Sequence, residues 1–240
     1  MAATTSVPDD TSRPGARARV RAELTAEIKA VARRQLAEHG APALSLRAVA
    51  REVGMVSSAV YRYFPSRDDL LTALIVDAYD AVGHQAEQAI EGVAPRAVGE
   101  RWLALARAVR SWALAHPNEY ALIYGSPVPG YAAPSDTIDP AARPALAMLT
   151  LVADGVAAGS IDTAPGPPIP RPVRADLTAL RQQAAPGVPN EVVARGLAAW
   201  TQLFGTISFE LFGHLHNVIH DYDAFFDHEM RRAGQHLIAG

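Results

Sequence analysis

The stretch from Leu44 to Leu70, LSLRAVAREVGMVSSAVYRYFPSRDDL, limits the fold more than any other part of the chain. It holds two short helix-like runs, pinched around Gly54 and halted at Pro65. Ser45 is a fitting N-cap for the first run, whose Leu46, Val49, Ala50 and Val53 share one face before Gly54 stops it. Ser57 or Ser58 is expected to cap the second. Helices this short bury little apolar surface by themselves, so a third helix must lie behind them. Residues 17–39 supply it. There Leu24, Ile28, Val31 and Leu36 keep close to helical spacing, and His39-Gly40 provides a C-terminal stop.

Three helices so arranged form a helix-turn-helix, in which the first short helix braces and the second enters a DNA major groove. The chemistry of the second suits that task. Val60 and Phe64 face inward at i, i+4 spacing, leaving Ser57, Ser58, Tyr61, Arg62 and Tyr63 to point outward. Ser57, Ser58 and Arg62 are donors suited to base edges, Arg62 above all to guanine. The hydroxyls of Tyr61 and Tyr63 can donate to phosphate oxygens. Ser45 and Arg47 stand at the start of the bracing helix, where free N–H groups favour a phosphate, and Arg67 could clamp the neighbouring backbone. The plainer alternative makes the serines caps and the tyrosines half-buried packing.

Charge agrees with the first reading. The chain of 240 residues carries a net charge of −3, but residues 1–70 hold 11 Lys/Arg against 8 Asp/Glu. The basic head sits on an acidic body, the polarity expected when only the head meets a polyanion. The chain has no cysteine, which excludes a disulfide scaffold and thiolate chemistry and points to a reducing cytoplasm. Its N-terminus has no signal-peptide pattern, and no apolar run reaches the roughly 18 residues of a membrane span.

Downstream the periodicity stays helical. Ser66 and Asp69 form a capping-box-like start for a fourth helix with the stripe Leu70, Leu71, Leu74, Ile75, Ala78 and Val82. Further helices are expected over 96–116, from Pro117 through Tyr124, over 141–158 and over 173–185. Asn190 is expected to cap a long apolar helix reaching about Val218, and Asp221 to cap a last one through Leu237. Strand signals are missing, so the fold class is all-α. The expected domains are a disordered arm (1–15), a helix-turn-helix DNA-binding domain (16–65) and a larger helical domain (66–240).

The run Tyr61-Arg62-Tyr63-Phe64-Pro65-Ser66-Arg67, within LSLRAVAREVGMVSSAVYRYFPSRDDLLTALI, resembles the signature of TetR-family (tetracycline-repressor-like) transcriptional regulators. The resemblance covers about residues 17–85, and the position of Tyr63 is often histidine in that family. It implies a homodimer that binds double-stranded operator DNA and is released by a small-molecule effector in the C-terminal domain. Two recognition helices about 34–36 Å apart would then read a pseudo-palindrome. The segment PNEVVARGLAAWTQLFGTISFELFGHL is similar to a WHG-type subgroup, named for a Trp…His-Gly motif. Here Trp200 and Gly205 match it and Phe204 stands in place of the histidine. A rival reading is a helical small-molecule-binding or enzymatic protein that uses its head only for assembly.

In that long helix Leu197, Thr201, Gly205, Phe209 and Gly213 recur at i, i+4. With Phe225 of the last helix they are the candidate dimer seam; the alternative packs them inside one subunit. Trp102, Leu105, Val109, Trp112, Tyr120, Tyr124, Met148, Trp200 and Phe204 could line a cavity for an apolar or weakly polar effector, or be plain core. His216 and His220, at i, i+4, could share a metal, but no third ligand stands at a firm spacing, so surface histidines are the favoured reading. No catalytic set, phosphate loop or cofactor motif is found.

Overall fold

The computed structural model describes residues 15–239. Residues 1–14, most of the expected disordered arm, lie outside the described residues. Ten α-helices and two 3-10 turns make up the regular structure, with no strand among the described residues. The chain divides into two compact units, with the division between Leu71 and Thr72.

The first unit contains α1 (Ala16–His39), α2 (Leu46–Val53), α3 (Ser57–Val60) and the opening turn of α4 (Arg67–Glu91). Its core is Ile28, Val31, Ala32 and Leu36 of α1 with Leu44, Leu46, Val49, Ala50, Val60 and Phe64, all buried. Each boundary has a local cause. The Ser45 side chain accepts from the Ala48 N–H at 3.5 Å. Gly54, at φ 76°, lets the Met55 N–H reach back to the Ala50 carbonyl at 2.9 Å, a left-handed close that a Cβ would strain. At α4 the Asp69 N–H donates to Ser66 Oγ at 3.1 Å and Ser66 Oγ donates to the Asp69 carboxylate at 2.7 Å.

The serines of α3 behave otherwise than expected. Val56, with extended backbone, occupies the N-cap position without a side-chain bond, and Ser57 and Ser58 are the first two helical residues. The helix is one turn long. It runs on through Tyr61 N–H to the Ser57 carbonyl (3.2 Å) and Phe64 N–H to the Val60 carbonyl (3.0 Å). Both hydroxyls are thereby freed from capping.

The second unit contains the rest of α4 with α5 (Val98–Ala115), α6 (Pro117–Tyr124), α7 (Ile138–Ala157), α8 (Arg171–Ala184), α9 (Asn190–Leu211) and α10 (Tyr222–Ala239). Helix α10 packs on both α9 and α5, while α7 packs on α5 and α9 and α8 on α9. The centre is filled by Trp102, Leu105, Val109, Met148, Leu151, Leu203, Ile207, Phe226 and Met230. Close approach there requires glycine: a Cβ on Gly155 would fall 2.6 Å from Val98 and one on Gly234 2.9 Å from the Trp102 ring.

Three boundaries in this unit correct the sequence reading. Helix α7 begins at Ile138, three residues before the expected Ala141, because Pro140 fits a first turn where no N–H bond is needed. Asn190 is not the cap of α9; Pro189 holds that position. The Asn190 amide instead donates to Thr178 Oγ1 of α8 at 2.9 Å, tying the two helices together. Helix α9 also ends at Leu211 instead of near Val218. Gly213 at φ 77° turns the chain, with the His214 N–H bonded to the Phe209 carbonyl at 2.9 Å. Asp221 does cap α10, accepting from the Ala224 N–H at 2.8 Å.

Candidate nucleic-acid interface

In the segment 57–64 the two apolar anchors and the polar groups part company. Val60 is wholly buried and Phe64 buried, and this pair fixes the rotation of the turn against the first unit's core. Ser57, Ser58 and Arg62 are exposed, and Tyr61 is 42% exposed. Tyr63 is half-buried, with the Arg21 guanidinium 5.1 Å above its ring. Arg47, second residue of α2, is exposed, while Ser45 is half-buried in its capping role.

Arg67 stands apart from the others. Its Nη2 donates to the Ala41 carbonyl at 2.7 Å and its Nη1 pairs with Asp68 at 3.1 Å, so its guanidinium braces the loop before α2. A second brace joins α1 to α2: Arg34 donates to the Glu52 carboxylate at 2.7 Å and Gln35 adds a bond at 3.4 Å. The Arg34 bond is the main reason the Glu52 carboxyl titrates below the usual range. These ties hold a one-turn helix outward without using any of its exposed donors.

A scaffold of this kind, with forked and hydroxylic donors on one exposed turn, fits base edges and phosphates. Known protein families and relatives agree with it. Residues 28–74 match the family described as bacterial regulatory proteins, tetR family, and residues 102–233 match a tetracyclin repressor-like C-terminal domain. The chain is 43% identical over 208 residues to the HTH-type transcriptional regulator Rv1816 of Mycobacterium tuberculosis, covering 85% of this chain and 87% of that one. The same figures hold for the HTH-type transcriptional regulator Mb1846 of Mycobacterium bovis. The chain belongs to the TetR family.

It is therefore a DNA-binding transcriptional regulator of the helix-turn-helix type, not an enzyme, which sets aside the rival reading. The fold agrees: the solved structure of the regulatory protein SCO4313 is similar at a TM-score of 0.75 and 38% identity, covering 92% of this chain and 98% of that one.

In TetR-family terms the residues of the second unit fall into separate groups. Trp102, Leu105 and Val109 are fully buried, and the Trp102 indole donates to the Met230 carbonyl at 2.8 Å. Met148 packs under Gly196, and Trp112 stacks on His116 at 5.5 Å. Tyr120, Tyr124, Phe204 and Trp200 instead form one aromatic group, with Tyr124–Phe204 centroids 4.2 Å apart and Trp200–Phe204 4.7 Å. The Tyr120 hydroxyl meets Ser208 Oγ at 2.8 Å, and burial drives the Tyr124 phenol well above its ordinary titration range. A pocket of about 300 Å³ lies on other residues, among them Pro167, Ile169, Ala194 and Ala198.

Of the seam residues, Thr201, Gly205 and Phe209 are exposed and Leu197 and Phe225 half-buried. Nothing lies within 4 Å of a Cβ built on Gly205. Gly213 is off the helix and leaves the stripe, because its left-handed backbone closes α9. The same turn removes the premise of a shared metal at His216 and His220, since neither residue is helical.

Among the ionic sites that sequence reading missed are three of the second unit. Arg101, buried, pairs with Asp154 at 2.9 Å. Arg110 holds Glu210 and Asp223, each at 2.7 Å. Arg143 grips Glu87 at 2.7 Å and Asp80 at 3.0 Å, and its bond lowers the Glu87 carboxyl. These partners lie on different helices, so no local spacing reveals them. Arg21, in contact with Tyr63, was missed for the same reason.

Proposed function

We propose that this regulator is a homodimeric, ligand-responsive repressor that acts in the cytoplasm on a pseudo-palindromic operator. Ser57, Ser58 and Arg62 read base edges, while Ser45, Arg47, Tyr61, Tyr63 and Arg67 hold or support the phosphate backbone. The head is residues 16–65, and residues 66–240 bind effector and partner subunit. The observation that carries this reading is the outward polar face of the recognition turn, Tyr61 and Arg62 exposed over buried Val60 and Phe64.

The seam is built on α9 and α10, from Leu197, Thr201, Gly205, Phe209 and Phe225. Phe209 is 53% exposed in the single chain, a large apolar ring for which association is the natural cover. Phe209→Asp is expected to yield monomers in analytical ultracentrifugation at concentrations where the unaltered chain sediments as a dimer. A variant that still sediments as a dimer removes this face from the seam.

The effector is an apolar or weakly polar molecule received by the aromatic group around Tyr120, Tyr124, Trp200 and Phe204, with Trp102, Leu105, Val109, Trp112 and Met148 behind it. It releases the operator by favouring a different state of the dimer. The direct test is a gel shift with DNA from upstream of the protein's own gene and random competitor. A band that survives competitor supports operator recognition, and loss of the band at equal competitor overturns it.

A further inference from the structure

We infer that Arg17 and Arg21, on the first turns of α1, extend the DNA interface beyond the recognition turn by gripping the sugar-phosphate backbone beside it. The inference rests on the operator reading above. The helix opens ARARVRA, with Arg17, Arg19 and Arg21 and no acidic residue before Glu23. A groove of about 480 Å³ lies on this end of the helix, bounded by Ala16, Arg17, Val20, Arg21 and Tyr63.

Its floor is apolar: Val20 is 53% exposed and the Tyr63 ring is half-buried beside it. Its rims are two guanidinium groups. Arg21 Nη2 donates to the Arg62 carbonyl at 3.4 Å and its Cζ sits 5.1 Å over the Tyr63 ring. That bond uses one of five N–H donors of the guanidinium, and the charge is thereby fixed beside the very turn that reads bases. An apolar floor rimmed by two cations, one of them fixed, fits a nucleic-acid backbone, with the deoxyribose on the floor and phosphates at the rims. A purely apolar or anionic partner would leave one half of the groove unmatched. Arg21 has a second effect through Tyr63 and Arg62, since it holds the carbonyl of the residue assigned to guanine. It is both a phosphate contact and a positioning residue.

The test uses the full chain and a duplex of the DNA upstream of its own gene, with affinity followed by fluorescence anisotropy against salt. Removing one phosphate-binding cation lowers the slope of log affinity against log salt by about 0.9. In the homodimer each substitution removes two such cations, so Arg17→Gln and Arg21→Gln are each expected to lower the slope by about 1.8, and the double variant by about 3.6. Arg21→Lys keeps the charge and gives up the planar stack, so the slope should stay near that of the unaltered chain while operator preference falls. Two Gln variants with an unchanged slope, against an unaltered chain that binds its operator, overturn the inference. An unaltered chain with no preference for that duplex over random DNA overturns the operator reading instead. Arg17 is exposed at the helix start, so its variant leaves the core of the head intact and reports on DNA.

Discussion

Truncating Trp102 to alanine is expected to lower the free energy of unfolding by about 3–5 kcal/mol. The side chain has no exposed surface, and its indole N–H donates to the Met230 carbonyl of α10 at 2.8 Å. Helix α10 approaches α5 at this point because Gly234 has no Cβ to meet the ring. Alanine would leave a cavity lined by side chains that already pack to one another, and such sites collapse only in part. Loss of the hydrogen bond adds about 1 kcal/mol. Trp102→Phe separates the two effects, since it keeps most of the ring area and removes the bond. Urea unfolding followed by circular dichroism checks both variants. A loss under about 1 kcal/mol for the alanine variant would mean that the α5–α10 contact is not the keystone its burial indicates.

The second large effect is on DNA. Arg62→Ala is expected to abolish the preference for operator over random DNA while leaving salt-sensitive, non-specific binding in place. A bidentate arginine–guanine contact contributes about 1–3 kcal/mol of discrimination. In a homodimer the contact occurs twice, so the operator affinity should fall by roughly thirtyfold to twenty-thousandfold. The backbone at Arg62 is held independently of its side chain, by Arg21 on its carbonyl and the Ala59 carbonyl on its N–H at 3.2 Å. Alanine therefore removes a readout without unfolding the turn. Tyr61→Phe is the matched control: it removes the neutral hydroxyl assigned to a phosphate and should weaken all sequences alike with little change in salt slope. Competition binding against operator and random duplexes measures both, and an unchanged operator preference in Arg62→Ala removes the role assigned to it.

How much of this was legible in the sequence depends on how far apart the interacting residues lie. The Ser45 cap, the Gly54 stop, the Ser66–Asp69 box and the Asp221 cap are decided within a few residues, and all stand where the sequence places them. The end of α9 was not legible from apolar periodicity, because Leu215, Val218 and Ile219 continue the hydrophobic pattern beyond the break. Gly213 decides it by adopting a backbone conformation that a side chain resists. Asn190 has the composition of a cap, but a tertiary partner, Thr178, claims its amide. At the site, the exposed and buried faces of the recognition turn follow from the i, i+4 pair Val60 and Phe64. The brace from Arg21, 41 residues away from Arg62, and the Arg110–Glu210 pair have no local signal, and only the fold brings them together.

Methylation interference on the operator tests the placement of the recognition turn in the major groove most directly. Methyl groups on guanine N7 occupy the groove edge that Arg62 is assigned to read. The predicted result is loss of binding when a guanine is methylated at either of two positions about one helical turn apart, with the sensitivity gone in Arg62→Ala. Binding that tolerates N7 methylation at every guanine of the operator would contradict it.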